Sequence, residues 1–427
     1  MAPASLQPLR SRNFALMWSA ALVSNAGSWV QTVALGVVVT TRTHDPLWTG
    51  LVAAAAFVPM GLLAPVGGAL ADRLDRRRWL ILTTIGESAC AAGLAVLAAG
   101  HARPVLMVAV AFAGGVCSAV GFPAYQAMLP DLVPRRDLLA AVSLSSAQFN
   151  LGRVIGPALA GVILLAGSAA WAFAVNSASF GAVVVALTFL RLPPHDRPAA
   201  GGPGMVARMA DGARVALAEP GCRSAIGLIA VVALIGSPFI ALVPALAIEG
   251  FHGGSATTAA LVTGQGVGAV IGALSLAGLA RRWGRPRLLV GALLAFPVAL
   301  AVYGLAPGVV AATAAIVVVG ACYIGVLSGL NTVVQLRAPT AARGRVLGFY
   351  MMALGTIYPV GAVCEGALAR TFGIRSVTVA SGLVLVAVMA CIMGLRPATV
   401  RSLEDPSAPC PTAVTDVMAD PAAPVAP

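Results

Sequence analysis

Lysine is absent from this chain. Its 27 basic residues are all arginine, set against 15 acidic residues for a formal net charge of +12. A P-loop needs a lysine to reach the phosphates, so a nucleotide-driven pump is excluded as a reading of this single chain. The run GQGVGAVIG, from Gly264, imitates a nucleotide loop, but it lies inside an apolar stretch with no strand before it. Histidine is scarce: His44, His101, His195 and His252 fall in or near connections, far apart in sequence. No clustered base, nucleophile or metal site is therefore expected, and with it no enzyme activity and no cofactor. The seven cysteines (Cys90, Cys117, Cys222, Cys322, Cys364, Cys391 and Cys410) form no C-x-x-C pair. Most stand in apolar runs, where cysteine behaves as a small hydrophobe.

Charge as a whole is scarce. Only 10% of residues are charged, whereas a water-soluble domain carries about 25%. What fills the space is apolar: 59% hydrophobic residues and a mean hydropathy of +0.93. A helix needs roughly 20 mostly apolar residues to cross a bilayer, so 427 residues hold about a dozen spans and little else. Cutting at charged and Pro/Gly-rich connections predicts helices over 14–40, 47–71, 79–99, 104–129, 138–166 and 169–190. A second set is predicted over 224–248, 255–280, 287–306, 309–335, 344–369 and 374–395. The first run exceeds the 7–15 residues of a signal-peptide core, so it reads as an uncleaved first helix.

The domain organisation that follows is a six-helix half over 1–190, a linker over 191–223, a second six-helix half over 224–396 and a disordered tail over 397–427. The linker opens with PPHDRPAAGGPG, a flexible composition, and continues as MVARMADGARVALAEP, read as a weakly amphipathic surface helix. The tail is rich in Pro, Ala, Ser and Asp.

The arginines report orientation. Twenty-two of them, among them Arg76, Arg77, Arg78, Arg135, Arg136, Arg281, Arg282, Arg285 and Arg287, fall in alternate connections or at the two chain ends. The intervening connections hold only Arg42, Arg103, Arg370 and Arg375, and Arg153 lies within a span. By the positive-inside rule the arginine-rich side is cytoplasmic, which places both termini inside an inner membrane and makes the number of spans even. The basic bias is thus topological, and nucleic acid is not an expected partner.

The two sets repeat each other. LADRLDRRR (Leu70 to Arg78) lines up with LARRWGRPR (Leu279 to Arg287), Pro134 with Pro339, and Pro157 with Pro359, at offsets that drift only from 209 to 202. Two six-helix halves related by an axis along the membrane normal are the parallel repeat of a carrier that rocks around a midplane site.

Two motifs connect this repeat to a known family. GALADRLDRR (Gly68 to Arg77) resembles the G-x-x-x-D-R-x-G-R-R loop between helices 2 and 3 of the major facilitator superfamily. Gly68, Asp72, Arg73, Arg76 and Arg77 fit, and Asp75 takes the usual second glycine. Gly68 permits close helix contact, and Asp72 can face the positive end of a neighbouring helix and pair with an arginine. The resemblance implies a latch in which Asp72 meets the start of the eleventh helix near Gly344; plain topogenic signalling is the competing account. NLGRVIGPALAG (Asn150 to Gly161) resembles the antiporter motif G-x-x-x-G-P-x-x-G-G through Gly152, Gly156, Pro157 and Gly161. Small residues let helices approach and Pro157 removes a backbone hydrogen bond, giving a kink. Ordinary small-residue packing is the alternative. The opening LRSRNFALMW, the PRRDLLAAVSLSSAQFNLGRVIGP stretch and RGRVLGFY are similar to the branch containing the enterobactin exporter and macrolide-type efflux proteins, over nearly the whole chain.

Polar residues inside spans are costly and so are functional candidates. Arg153, three residues after Asn150, suits an anionic or carbonyl-rich substrate, or else ties helices together. Glu87 and Glu365 are the two carboxylates placed well inside apolar runs, and one of them is the expected proton carrier, Glu365 first. Asn25, Gln31, Gln126, its repeat mate Asn331, and Tyr358 are cavity candidates, each balanced against an interhelical hydrogen bond. The expected protein is an all-α membrane protein of twelve transmembrane helices in two six-helix pseudo-symmetric halves, the major facilitator fold. It is expected to act as a monomer that exports drug-like or siderophore-like small molecules by alternating access, with protons as the coupling ion. Proton-coupled uptake, or a non-transporting receptor, is the alternative.

Overall fold

The computed structural model describes residues 4–166, 168–190, 205–339 and 342–403; within these, the side chains of Asp72 and Asn150 are outside the description. Twelve helices are long and apolar enough to cross a membrane, and no strand occurs among the described residues. The first half comprises α1 (Arg12–Thr43), α2 (Pro46–Arg73), α3 (Arg76–Ala99), α4 (Pro104–Met128), α5 (Leu138–Ala166) and α6 (Ala169–Phe189). A linker helix α7 (Met205–Ala218) follows. The second half comprises α8 (Pro220–Gly250), α9 (Ser255–Trp283), α10 (Arg285–Leu305), α11 (Val309–Arg337), α12 (Arg343–Phe372) and α13 (Ile374–Leu395), closed by a short α14 (Pro397–Ser402).

Local chemistry sets the helix ends. Asp45 caps α2 by accepting from the Leu47 amide at 3.0 Å, with Pro46 in the first turn, where its missing N–H costs nothing. Asp75, the residue that departs from the loop motif, caps α3 by accepting from the Arg78 amide at 2.8 Å. Gly284, at φ 81°, is the single residue between α9 and α10; this left-handed backbone is one that glycine adopts without a Cβ clash.

Two elements differ from expectation and a third, the linker helix, matches it. The seventh span is broken: helix over Pro220–Val231 gives way to a wide π turn at Val232–Gly236, resumes at Phe239–Ala245 and widens again at Leu246–Gly250. Pro238 and Pro244 lack the amides a regular ladder needs, and π turns absorb that loss. The tail does not begin as disordered chain, since Pro397–Ser402 form a helix whose Ser402 hydroxyl donates to Ser224 at 2.8 Å and Leu403 is buried. The surface helix of the linker is present as α7, held to α12 by an Asp211–Arg345 ion pair at 3.0 Å. The PPHDRPAAGGPG segment and residues 404–427 lie outside the described residues.

The halves meet along α2 with α12 and α5 with α9, and α1 packs on the α8 segment at Pro244. These seams are tight on the arginine-poor face. A Cβ built on Gly50 would lie 2.3 Å from the Ala362 carbonyl, on Gly366 2.9 Å from the Pro46 carbonyl, and on Gly161 2.6 Å from the Ala259 Cβ. On the arginine-rich face, the corresponding positions Gly68, Gly278, Gly344 and Gly348 have no neighbour among the described residues within 4 Å of such a Cβ. The molecule is therefore pinched shut at one face and splayed at the other.

Candidate functional site

Helix α5 shows where the splayed space leads. Its outward face, Leu151, Ile155, Leu159, Val162 and Leu165, is exposed as a lipid-contacting stripe should be. The diametrically opposite stripe, Val142, Ser146, Phe149 and Arg153, follows the same helical spacing. Val142 is 45% and Phe149 49% exposed, whereas Ala160, two turns past Arg153 on that face, is 0% exposed. A helix exposed on two opposite faces borders lipid on one and a cavity on the other. Along that face exposure falls from Val142 and Phe149, nearer the arginine-rich end, to Ala160 beyond Arg153, so the opening lies on the arginine-rich side.

Arg153 reaches across the boundary between the halves. Its guanidinium carbon lies 5.4 Å from the ring centroid of Trp29 on α1, and Tyr323 of α11 and Tyr358 of α12 are close enough to interact with it electrostatically. Among the described residues no carboxylate lies within ion-pair distance of it. The ring face offsets part of the cost of removing a guanidinium from water, but only part. An anion or a group of carbonyl oxygens placed there would supply the rest.

Aromatic rings line the same level. Tyr358 stands edge-on to Phe57 of α2 with centroids 5.3 Å apart. Tyr323 sits between Phe239 and Phe296, at 5.6 and 5.3 Å, and its hydroxyl is 3.0 Å from that of Ser237. Ser237 follows the π turn of α8, so the break in that helix is what brings its hydroxyl to Tyr323. Trp29, Tyr323 and Ser237 were missed from the sequence. The signal for Ser237 was present in GSPFIALVPA, where a Ser-Pro and a second proline interrupt an apolar run.

The closed face carries the two ion pairs between the transmembrane halves found among the described residues. His44 Nδ1 lies 3.0 Å from Glu249 Oε1, and Arg370 Nε 3.2 Å from Asp45 Oδ2, so one short turn between α1 and α2 ties both α8 and α12.

The predicted residues separate into groups. Gly152 and Gly156 sit where α5 crosses α1: built Cβ atoms would lie 2.8 Å from the Asn25 Cβ and 2.4 Å from the Trp29 Cβ. Asn25 thus belongs to this crossing, and Pro157 is buried beside it. Gln31 is held within the first half, accepting from the Asn176 amide at 2.8 Å. Asn331 accepts from Gln335 one turn on, and Gln126 is exposed. Glu87 accepts from Ser118 between α3 and α4, away from the seam between the halves. Glu365 is buried between α12 and α13 on the closed side, accepting from Ser381 at 2.7 Å.

In the loop motif, Arg76 donates to the Ala127 carbonyl at 3.1 Å and lies 3.5 Å from Asp131, and Arg77 donates to the Thr188 carbonyl at 2.7 Å. Arg73 is exposed. The expected approach of Gly68 to a neighbouring helix is not made in this conformation, because the halves are apart there. Asp72 and Asn150, as side chains, lie outside the described residues.

Two six-helix bundles around a cavity open at one face define a membrane transporter. The sequence matches, over residues 3–424, the major facilitator family described as "Transmembrane secretion effector", and the chain belongs to that family. It is 29% identical to the Enterobactin exporter EntS of Citrobacter koseri, over 89% of this chain and 91% of that one. It is 26% identical to the Multidrug efflux pump Tap of Mycolicibacterium fortuitum, over 86% and 92%. With the Staphyloferrin A transporter of Staphylococcus aureus it shares 37% identity over 140 residues, 32% of this chain and 35% of that relative. Among solved structures, a bacterial homologue of the human lysosomal transporter Spinster, in an inward-facing and occupied conformation, superposes with a TM-score of 0.74 at 16% identity, over 94% of this chain and 99% of that one. That likeness concerns the fold.

Proposed function

We propose that this chain exports small anionic or carbonyl-rich molecules from the cytoplasm by alternating access, in exchange for protons. The observation that carries the reading is Arg153, a cation with no ion-pair partner among the described residues, on the face of α5 that is exposed towards the arginine-rich side. The positive-inside rule makes that side cytoplasmic, so the cavity loads from within. Two names among the relatives, an enterobactin exporter and a multidrug efflux pump, agree with outward movement of small molecules, and a staphyloferrin transporter agrees with a small-molecule cargo. Closure at the cytoplasmic face follows from rocking the halves until Gly68 and the start of α12 meet, with Asp72 and the α12 arginines as the latch; opening at the other face requires the His44–Glu249 and Asp45–Arg370 pairs to part. Glu365 is the favoured proton site, because it is buried on the side that must open to the exterior and has a serine as its partner. Glu87, on the periphery, is the structural one of the two.

Inside-out vesicles from a host stripped of its own efflux pumps test this. Accumulation of an anionic aromatic dye, faster than that of a cationic dye of matched size and abolished by collapsing the proton gradient, is expected. Accumulation unchanged by a protonophore would remove the coupling, and movement only in right-side-out vesicles would make the protein an importer. Asp72→Asn with normal membrane insertion is expected to lose transport; unchanged transport counts against the latch.

A further inference from the structure

The second copy of the loop motif, LARRWGRPR, ends α9 and opens α10 on the arginine-rich face. In the first copy the charges are committed within their own half: Asp75 caps a helix, Arg76 faces Asp131 and Arg77 holds a carbonyl. The second copy has no acid, and among the described residues none of Arg281, Arg282, Arg285 and Arg287 forms an ion pair.

Beside these arginines the helices leave a slot of about 210 Å³. Helices α9 and α10 both pack along α11 but diverge from each other, and the gap is walled by Leu276 and Leu288. Gly325 and Gly329 of α11 are among its lining residues, where they let α10 pack close: a Cβ on Gly329 would lie 2.7 Å from Leu289 and one on Gly325 3.2 Å from Ala292. Arg285 and Arg337 border it, and Leu403 of the tail closes one end. The stripe Gly325, Gly329, Thr332 and Leu336 lies on a different face of α11 from Asn331, so the slot is separate from the transport cavity. Arg337 is already engaged with Glu219 at 3.8 Å, which leaves Arg285 as the uncommitted cation on the rim. Trp283, next to Gly284, is 52% exposed, as a side chain anchored at the membrane interface should be.

We propose that this slot binds an anionic phospholipid of the leaflet at the arginine-rich face, an acyl chain lying over Gly325 and Gly329 and the phosphate held by Arg285 with the neighbouring loop arginines. An apolar slot at membrane depth with Arg285 at its rim complements such a lipid in both parts. A basic pocket between transmembrane helices on the cytoplasmic side is a recurrent setting for acidic headgroups. The topological signal alone requires the arginines but not the slot.

The test is lipid retention by the purified full-length protein in detergent, read by native mass spectrometry and by thermal stability. One dioleoyl phosphatidylglycerol retained per chain, with a rise in Tm that dioleoyl phosphatidylcholine does not give, is expected. Arg285→Gln should lower that retention about fivefold, the loss for one arginine near an acidic surface. Gly329→Leu, whose added side chain must displace Leu289 in the slot lining, should lower retention further. If that variant fails to fold, the Arg285→Gln result still decides, because this side chain is exposed. Equal retention of the two lipids, unchanged retention in Arg285→Gln, or equal protection by inorganic phosphate alone would each overturn the assignment.

Discussion

Helices α5 and α12 occupy equivalent places in the two halves, and aligning them on Pro157 and Pro359 shows how a duplicated frame came to hold an asymmetric site. Where α5 carries Arg153, α12 carries Gly355; where α5 carries Gly156, α12 carries Tyr358. The cation comes from one half and a ring from the other. Gly156 is needed because α5 lies directly on Trp29, whereas Tyr358 reaches Phe57 of the opposing half. Neither half contains the site alone, and its residues meet only where the halves do. The rocking proposed above would therefore change the surroundings of Arg153 directly, which is what a carrier needs if substrate is to sense the conformation.

The asymmetry can be broken at several points. The largest effect is expected at Gly156→Leu, because the new Cβ meets backbone and Cβ atoms on α1 that cannot move aside: a Tm drop and poor yield, consistent with overpacking of about 1–3 kcal/mol or more. Arg153→Gln should come next. Truncating a charge that binds an opposite charge costs about 2–5 kcal/mol, so export of an anionic dye falls by roughly 30-fold or more in vesicles. The same variant should keep or raise its Tm, because it removes a buried cation without a partner; a Tm loss that accounts for the transport loss would make Arg153 structural.

Asp45→Asn is milder. Parting an exposed ion pair contributes about 0.2–1 kcal/mol, so labelling of a cysteine placed in the seam from the arginine-poor side should rise by about fivefold at most. The smallest effect is expected at Tyr358→Phe, which keeps the ring against Phe57; less than about a threefold change in transport is expected, in line with one hydrogen bond. A large loss there would mean that the hydroxyl, not the ring, contacts the substrate.

Much of this architecture was legible in the residues. The first six spans and the last five fall within a few residues of their predicted bounds, because length and apolarity are properties of a segment by itself. The glycines of the α5 motif were also legible as contact points, since a small-residue pattern has one structural use in a helix pair. Gln31 was not: it was a cavity candidate, yet its partner Asn176 stands 145 positions away and turns it inward. Trp29 looked like one more apolar residue until α5 brought a guanidinium over its ring. The break in α8 escaped because its prolines sit in a run apolar enough to read as a continuous helix.

What the sequence alone determined is the set of rods, their pairing into two repeated halves and the side on which the arginines lie. Each of these follows from hydrophobicity and charge, which act on a segment regardless of its neighbours. Only the tertiary structure decided which polar groups share a cavity, which face is shut and which loop arginines stay unpaired. Those outcomes depend on the rotation of each helix about its axis and on the distance between the halves, and both are set by contacts between residues far apart along the chain.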